Sequence, residues 1–219
     1  MGLSDFIRSI DLAFLESSLQ RLAAVLLCLT VHETCHGLAA YALGDPTARE
    51  QRRLSLNPLR HIDWLGLAMM LAAGFGWARP VPVDPRYFKR PKYGMAFTAL
   101  AGPASNLLLA LAAVFVSRVL YAHGGWMPSG TWISLLEFLL YTLAPLSIGL
   151  GLFNLLPIPP LDGAKVLGAF LPDRAYFGLM RYERYGMLAL LALSWFGVTG
   201  NLVSGAILGV YSFFFELFF

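Results

Sequence analysis

Three long apolar runs dominate the hydrophobic pattern of the chain. They cover about residues 19–43, 94–121 and 132–156. Each run is long enough to cross the hydrocarbon layer of a membrane as a helix, which takes about 20 residues. The pattern predicts an all-α polytopic membrane protein with about four to six transmembrane or re-entrant helices.

Two shorter segments between the first two runs follow other patterns. Residues 64–77 are apolar, but a helix of that length reaches only about 21 Å, so we expect a re-entrant hairpin or a buried strand pair there. Residues 78–92 contain Pro80, Pro82, Pro85 and Pro91, which exclude a helix. The alternation around Pro82 predicts a small extended or β segment near the cytosolic face.

The two ends of the chain differ from its central part. Residues 1–18 mix charged and apolar residues and predict an amphipathic surface segment. Residues 19–171 form the predicted membrane core. Residues 172–219 begin polar and basic and end as an apolar run broken at residues 197–201. This last part is predicted to form either a transmembrane hairpin or one kinked span.

Composition and charge agree with a bilayer environment and orient the chain within it. Hydrophobic residues make up 58% of the chain and charged residues 13%, against about 25% charged residues in ordinary globular domains. Thirteen of the sixteen Lys and Arg residues lie in residues 45–63, 79–92 and 164–184, and residues 122–131 have none. The positive-inside rule therefore predicts cytosolic basic segments, with residues 122–131 and the N-terminus outside.

The first apolar run carries ionisable residues that are costly in lipid. His32-Glu33-Thr34-Cys35-His36 has the pattern H-E-x-x-H, which puts two imidazoles on one helix face where both can bind one Zn²⁺. Glu33 is then placed to take a proton from a zinc-bound water. The alternative is that the histidines bond to neighbouring helices and Glu33 pairs with an arginine, which leaves three costly groups without a purpose.

A catalytic zinc site needs a third protein ligand. His123 lies in the predicted outside loop, and we expect His61 to be a surface-loop residue. Asp162 is the better candidate, because it follows a span that ends on the same side as the H-E-x-x-H helix and adjoins a helix break. Its alternative role is that of a helix cap. Cys28 and Cys35 are expected to be small packing residues.

Several separated stretches, in the same order, resemble the site-2 protease family of intramembrane zinc metalloproteases. They are VHETCHGLAAYALGDPTA, RLSLNPLRHID, GWARPVPVDPRYF, ALAGPASNLLLAL and FNLLPIPPLDGAKVL. The similarity covers roughly residues 20–170 and is greatest to short bacterial members without PDZ or CBS domains. It implies that His32, His36 and Asp162 bind one zinc ion per chain and that Glu33 is the general base.

Further candidates surround this constellation. The substrate-binding candidates lie on the second span and in the extended segment, at Gly102, Pro103, Asn106, Pro80, Val81, Pro82 and Val83. The resemblance implies that Asn106 lies near the substrate path or the oxyanion, whereas a helix–helix hydrogen bond is the alternative. The extended residues could hold an unwound substrate strand by β-augmentation. The residues expected to shape the turn around Asp162 are Asn154, Pro157 and Gly163.

These observations predict an intramembrane zinc endopeptidase that cleaves a transmembrane segment of single-span proteins. Its role would be regulated intramembrane proteolysis or clearance of signal-peptide remnants. We expect it in the bacterial cytoplasmic membrane, in contact with lipid, with the active site open to the cytosol and no nucleic-acid partner. One alternative is a membrane metalloprotease acting on soluble or lipid-modified peptide ends. Another is a non-catalytic membrane chaperone or transporter with a metal site, against which the intact Glu33 argues.

Overall fold

Helices form the regular secondary structure of the computed structural model, which describes residues 12–66, 69, 78–123, 129–181, 185, 186, 190, 192 and 198–219. The helices are α1 (Leu12–Ala42), α2 (Thr47–Glu50), α3 (Pro91–His123), α4 (Ser129–Glu137), α5 (Ala144–Asn154), α6 (Asp162–Gly168), α7 (Asp173–Arg181) and α8 (Val198–Glu216). A π-helical segment, Phe138–Leu143, joins α4 to α5, and 3₁₀ turns occupy Pro58–Arg60 and Pro85–Tyr87.

Within the part of the chain that the structure describes, three helical stretches are long and apolar enough to cross a membrane. They are Leu15–Ala42, Pro91–His123 and Gly130–Asn154. The prediction of an all-α membrane protein is thereby confirmed. The third stretch is composite, because the π-helical segment interrupts it just before Pro145. Proline has no main-chain N–H to donate to a carbonyl of the preceding turn, so the hydrogen-bond pattern changes there.

Small side chains bring the three spans together. The buried cluster between α1, α3 and α5 includes Ala24, Cys28, Ala110, Ala113 and Val114, together with Leu140, Leu143, Ala144 and Ile148. Small residues let helix backbones approach closely in a membrane, where dispersion replaces the hydrophobic effect as the main source of attraction. Cys28 lies within this cluster, as expected of a packing residue.

The extended segment predicted for residues 78–92 is not present as a strand. In the part of the chain that the structure describes there is no sheet, and Ala78 makes only an isolated antiparallel bridge to Ile62. Residues 79–84 have no regular structure, a 3₁₀ turn follows, and α3 begins at Pro91. Because Pro80 and Pro82 have no N–H, this stretch cannot form the continuous ladder of a strand.

Several predicted segments lie largely outside the described residues. Of the predicted re-entrant hairpin at residues 64–77, only residues 64–66 and 69 are described. Residues 12–18 of the predicted amphipathic segment belong to α1. The choice between a hairpin and a kinked span at the C-terminal end also falls outside the described residues, although α8 itself is an apolar helix.

Candidate metal centre

The two histidines of the H-E-x-x-H motif meet Asp162 at one point. His32 and His36 lie one turn apart on α1, with ring centroids 4.5 Å apart. Asp162 is the first residue of α6, and its Oδ2 lies 3.2 Å from His32 Nε2 and 3.1 Å from His36 Nε2. One potential ligand atom from each residue lies within 4.8 Å of the others. All three residues are buried. Because their ligand atoms lie so close together, the predicted ligand set forms a single cluster.

Helix α3 provides the wall against which the histidines pack. A Cβ atom at Gly102 would lie 2.5 Å from His36 Nε2 and 2.7 Å from His32 Cε1. The Thr98 carbonyl lies 2.7 Å from His36 Nδ1, and it can only accept a hydrogen bond. His36 Nδ1 therefore donates this hydrogen bond, and Nε2, the nitrogen nearest Asp162, is the one available to a metal.

The residues present fit a zinc ion. Two imidazole nitrogens and one carboxylate oxygen are the kind of three-residue set that catalytic zinc sites use. Lys165 Nζ lies 3.7 Å from Asp162 Oδ1, so the ammonium group occupies one side of the carboxylate and leaves Oδ2 to the imidazoles. Lys165 was not among the residues predicted from the sequence, although its spacing of three residues from Asp162 on a helix was a usable signal.

Glu33 lies beside this cluster and is held by the main chain of another segment. Its Oε2 accepts a hydrogen bond of 2.8 Å from the Val81 N–H. A cavity of about 300 Å³ opens at this position. Its lining includes the four residues of the candidate site, the loop residues Pro80, Val81 and Val83, and Asn154.

The other predicted substrate-binding residues lie elsewhere. Pro103 and Asn106 are fully buried in α3, outside the cavity lining. The main-chain carbonyl of Asn106 accepts a hydrogen bond from the Ser147 hydroxyl at 2.8 Å. The Asn106 side-chain amide has no partner among the described residues. Gly102 contacts the histidines, and Pro82 does not line the cavity.

Asn154 lines the cavity, whereas Pro157 and Gly163, which were also expected to shape the Asp162 turn, do not. Pro157 is exposed. Gly163 packs directly under the preceding turn, because a Cβ there would lie 2.2 Å from the Leu155 carbonyl oxygen. The roles of these residues in substrate binding or support remain predictions.

His61 is a buried residue, and the expectation that it belongs to a surface loop was wrong. It is 2% exposed, and its Nε2 lies 2.7 Å from the Ser55 carbonyl and 3.5 Å from the Thr34 hydroxyl. Thr34 lies within the H-E-x-x-H motif, so this face of α1 is covered by the loop that follows α2. The polar composition of that loop suggested exposure, whereas its packing against α1 buries the imidazole.

Comparison with known proteins identifies the family. The profile of Peptidase family M50 matches residues 127–196. A Bacillus subtilis (strain 168) protein named "Putative zinc metalloprotease YwhC" is 40% identical over 169 residues, which is 77% of each chain. The chain belongs to peptidase family M50. The resemblance to site-2 proteases is confirmed, and this M50 protein is a zinc metalloprotease of the membrane.

More distant relatives agree with this assignment. Rip2 of Mycolicibacterium smegmatis, named "Putative zinc metalloprotease Rip2", is 31% identical over 78% of this chain and 65% of its own length. Rip3 of Mycobacterium tuberculosis (strain ATCC 25618 / H37Rv), with the corresponding name, is 36% identical over 53% of this chain and 30% of its own length. These matches therefore span only part of the longer Rip proteins. No solved structure matches the chain.

Proposed function

We propose that this M50 metalloprotease is an intramembrane endopeptidase that cleaves a transmembrane segment of single-span proteins. The observation that carries the proposal is the position of the candidate site on α1, a helix that is long and apolar enough to span a membrane. His36 lies six residues before the end of α1 at Ala42, a rise of about 9 Å at about 1.5 Å per residue. The reaction would take place below the membrane surface.

His32, His36 and Asp162 would hold one zinc ion. When bound there, zinc would polarise the scissile carbonyl group and lower the pKa of a coordinated water. Lys165 would keep Asp162 oriented, and the Thr98 carbonyl would keep the His36 ring oriented, as partners behind the ligands of metal sites do.

Glu33 would be the general base and then the general acid. Its carboxylate would accept a proton from the attacking water and would later deliver a proton to the leaving amine. The contact with the Val81 N–H would hold the carboxylate at the cavity before substrate binds. The open volume of about 300 Å³ leaves room for water and an unwound peptide segment beside Glu33.

The stretch Pro80–Val83 is the proposed docking edge for the substrate. A transmembrane helix satisfies its own main-chain hydrogen bonds, so it has to unwind before it can be cleaved. Pro80 and Pro82 lack N–H groups, which leaves Val81 and Val83 as the main-chain donors of this stretch. The Val81 N–H already bonds to Glu33, so the Val83 N–H would be the donor that binds the unwound substrate.

The proposed orientation is an active site open to the cytosol of a bacterial cell. The basic residues cluster in three segments, which follow the Ala42 end of α1, lead into α3 and follow the Asn154 end of α5. Positively charged segments are retained on the cytoplasmic side of a membrane. Both ends lie near the candidate site, so the cavity would open on that side of the bacterial cytoplasmic membrane.

The decisive experiment compares Glu33→Gln with Asp162→Asn in the purified protein. The substrate probe is a fusion protein with one transmembrane segment of leucine and alanine that contains a Gly-Pro pair. Glu33→Gln should retain zinc at the wild-type level while cleavage falls by about 10²–10⁴-fold, the range typical of general acid–base catalysis. Asp162→Asn should lose most of its zinc, measured by atomic emission.

Asp173→Asn is the matched control, because that exposed carboxylate pairs with Lys92 and neither residue lines the cavity. It should retain both zinc and activity. Cleavage by Glu33→Gln at the wild-type rate would refute the role of Glu33, and full zinc occupancy in Asp162→Asn would refute the ligand set. Trapping of single-span proteins by Glu33→Gln in cells, read by membrane proteomics, would identify natural substrates.

A further inference from the structure

A buried arginine holds the main chain beside Glu33. Arg53, in the loop between α2 and the first 3₁₀ turn, is only 8% exposed. Its Nη2 donates hydrogen bonds to the carbonyls of Arg79 at 2.7 Å and Pro80 at 3.3 Å. A buried guanidinium group is costly unless it is compensated, so a fixed arrangement of these two carbonyls stabilises it.

The next residue along the chain provides the hydrogen bond to Glu33. Val81 N–H lies 2.8 Å from Glu33 Oε2, directly after the two carbonyls that Arg53 contacts. Pro80 stands between the two contacts, and its ring fixes φ near –65°. Displacement of the Arg79 and Pro80 carbonyls would therefore also displace the Val81 N–H, because the peptide planes between them are stiff.

Other contacts fix the ends of this stretch but leave its centre to Arg53. The Arg79 N–H donates to the His61 carbonyl at 2.9 Å. The Asp84 N–H donates to Oδ2 of the fully buried Asp45 at 2.7 Å. Neither contact acts on the peptide that joins Pro80 to Val81, whereas the Arg53 guanidinium bonds to the Pro80 carbonyl of that peptide.

Arginine suits this position better than lysine. Its planar guanidinium is more weakly hydrated than an ammonium group, and it stays charged when it is buried. Burial lowers the pKa of Arg53, the charge of Arg79 lowers it further, and the carboxylate of Glu33 acts in the opposite direction. The charges of Arg53 and Glu33 therefore stabilise each other across the intervening main chain.

We propose that Arg53 is a positioning residue for Glu33, which it orients through the carbonyls of Arg79 and Pro80 and the N–H of Val81. The proposal rests on the proposed function of Glu33 as the general base. Arg53 touches neither the candidate zinc ligands nor the cavity, so its removal should disturb the orientation of Glu33 and leave metal binding intact.

Hydrogen exchange tests the contact chain without any need for activity. Fragments that cover residues 78–84 carry few exchangeable amides, because Pro80 and Pro82 have none. In the zinc-loaded wild type the Val81 amide should exchange slowly. Arg53→Ala and Arg53→Lys should speed its exchange by about tenfold or more, as expected when a local contact opens. Glu33→Ala, which removes the acceptor, should have the same effect.

Arg60→Ala is the matched control. Arg60 belongs to the same loop and donates to the Arg52 carbonyl, and within the described part of the chain it has no hydrogen bond to residues 79–84. It should leave the Val81 amide as protected as in the wild type. Slow Val81 exchange in both Arg53 variants would overturn the proposal, whatever their activity.

Kinetics with the leucine–alanine fusion substrate distinguish positioning from other roles. Arg53→Ala should lower kcat by about 10–100-fold, the usual effect of a partner behind an active-site group, with zinc content close to wild type. KM should rise as well, because Arg53 holds one end of the proposed docking edge. Added methylguanidine should restore part of the activity to Arg53→Ala and none to Glu33→Gln. A raised KM at unchanged kcat would mean that Arg53 serves substrate binding, and zinc loss in proportion to activity would mean a structural role. Either result would refute positioning.

The two proposals fail in different ways. An active Glu33→Gln variant would refute the proposed function of Glu33. An inactive Glu33→Gln variant combined with Arg53 variants of wild-type kcat and slow Val81 exchange would refute only the positioning role of Arg53.

Discussion

At the scale of single residues, the absence of a side chain at Gly102 is what allows two imidazoles to pack against α3. A Cβ there would lie 2.5 Å from His36 Nε2 and Cε1, well inside van der Waals contact. Gly102→Ala should therefore push both rings away from Asp162. We expect the protein to remain folded, while zinc affinity and activity fall by about 10–100-fold, measured by zinc titration and by cleavage of the fusion substrate.

Gly209→Ala provides the comparison for this substitution. Gly209 also lies inside an apolar helix, but a Cβ there has no neighbour within 4 Å. Because a Cβ at Gly209 displaces nothing, this variant should retain zinc. Alanine in a helix interior is favoured over glycine by about 0.5–1 kcal/mol, so its melting temperature should rise slightly. Unchanged zinc affinity in Gly102→Ala would show that the imidazoles can move without loss of the site.

The candidate ligands could be predicted from the sequence, but many of the contacts that orient them could not. His32 and His36 were predictable because their spacing on a helix fixes their common face, and Asp162 because it adjoins a helix break. The contact to His36 comes from the main-chain carbonyl of Thr98, and any residue type offers such a carbonyl. Arg53 appeared only as one of several basic residues in a turn-rich loop, and its burial depends on tertiary packing.

At the scale of elements, the close approach of α6 to the end of α5 places Asp162 in the site. A Cβ at Gly163 would lie 2.2 Å from the Leu155 carbonyl oxygen and 2.5 Å from that of Leu156. These are main-chain atoms, so they cannot rotate away as a side chain could. Gly163→Ala should shift the start of α6, lower zinc occupancy by about tenfold or more, and lower the melting temperature.

Gly178→Ala in α7 is a suitable comparison for this element. It too lies in a short helix, and a Cβ there meets nothing within 4 Å. Its zinc occupancy and melting temperature should stay close to wild type. If Gly163→Ala and Gly178→Ala behaved alike, the packing of α6 under the preceding turn would not control the position of Asp162.

Hydropathy predicted the number of long apolar helices better than their internal structure. The run at residues 132–156 is a single apolar stretch in the sequence, but in the structure α4, a π-helical segment and α5 share it. Side-chain hydrophobicity does not report which carbonyl each N–H bonds to, so the change of helix type stayed hidden. The alternating Val81-Pro82-Val83 pattern predicted a strand, yet the missing proline donors leave only a short irregular stretch held by side chains.

At the scale of the whole molecule, the direction of the chain through the membrane decides which compartment supplies water to the site. The three long spans pack through α1, α3 and α5, and the candidate site lies toward the end of α1 at Ala42. The composition predicted the bilayer, since apolar surface on every span would be unfavourable in water. The direction of insertion depends instead on the uneven placement of thirteen of the sixteen basic residues.

Cysteine labelling in intact bacterial cells tests that direction. In a background without the native cysteines, we expect Ala122→Cys to react with a membrane-impermeant maleimide added outside, and Leu56→Cys to react only after the membrane is opened. Both positions are exposed, so reactivity reports the compartment and not burial. Ala110→Cys, at a fully buried position, should stay unlabelled from either side. The reverse labelling pattern would place the Ala42 end of α1 outside the cell, and the cavity beside Glu33 would then draw its water and its unwound substrate from the opposite face of the membrane.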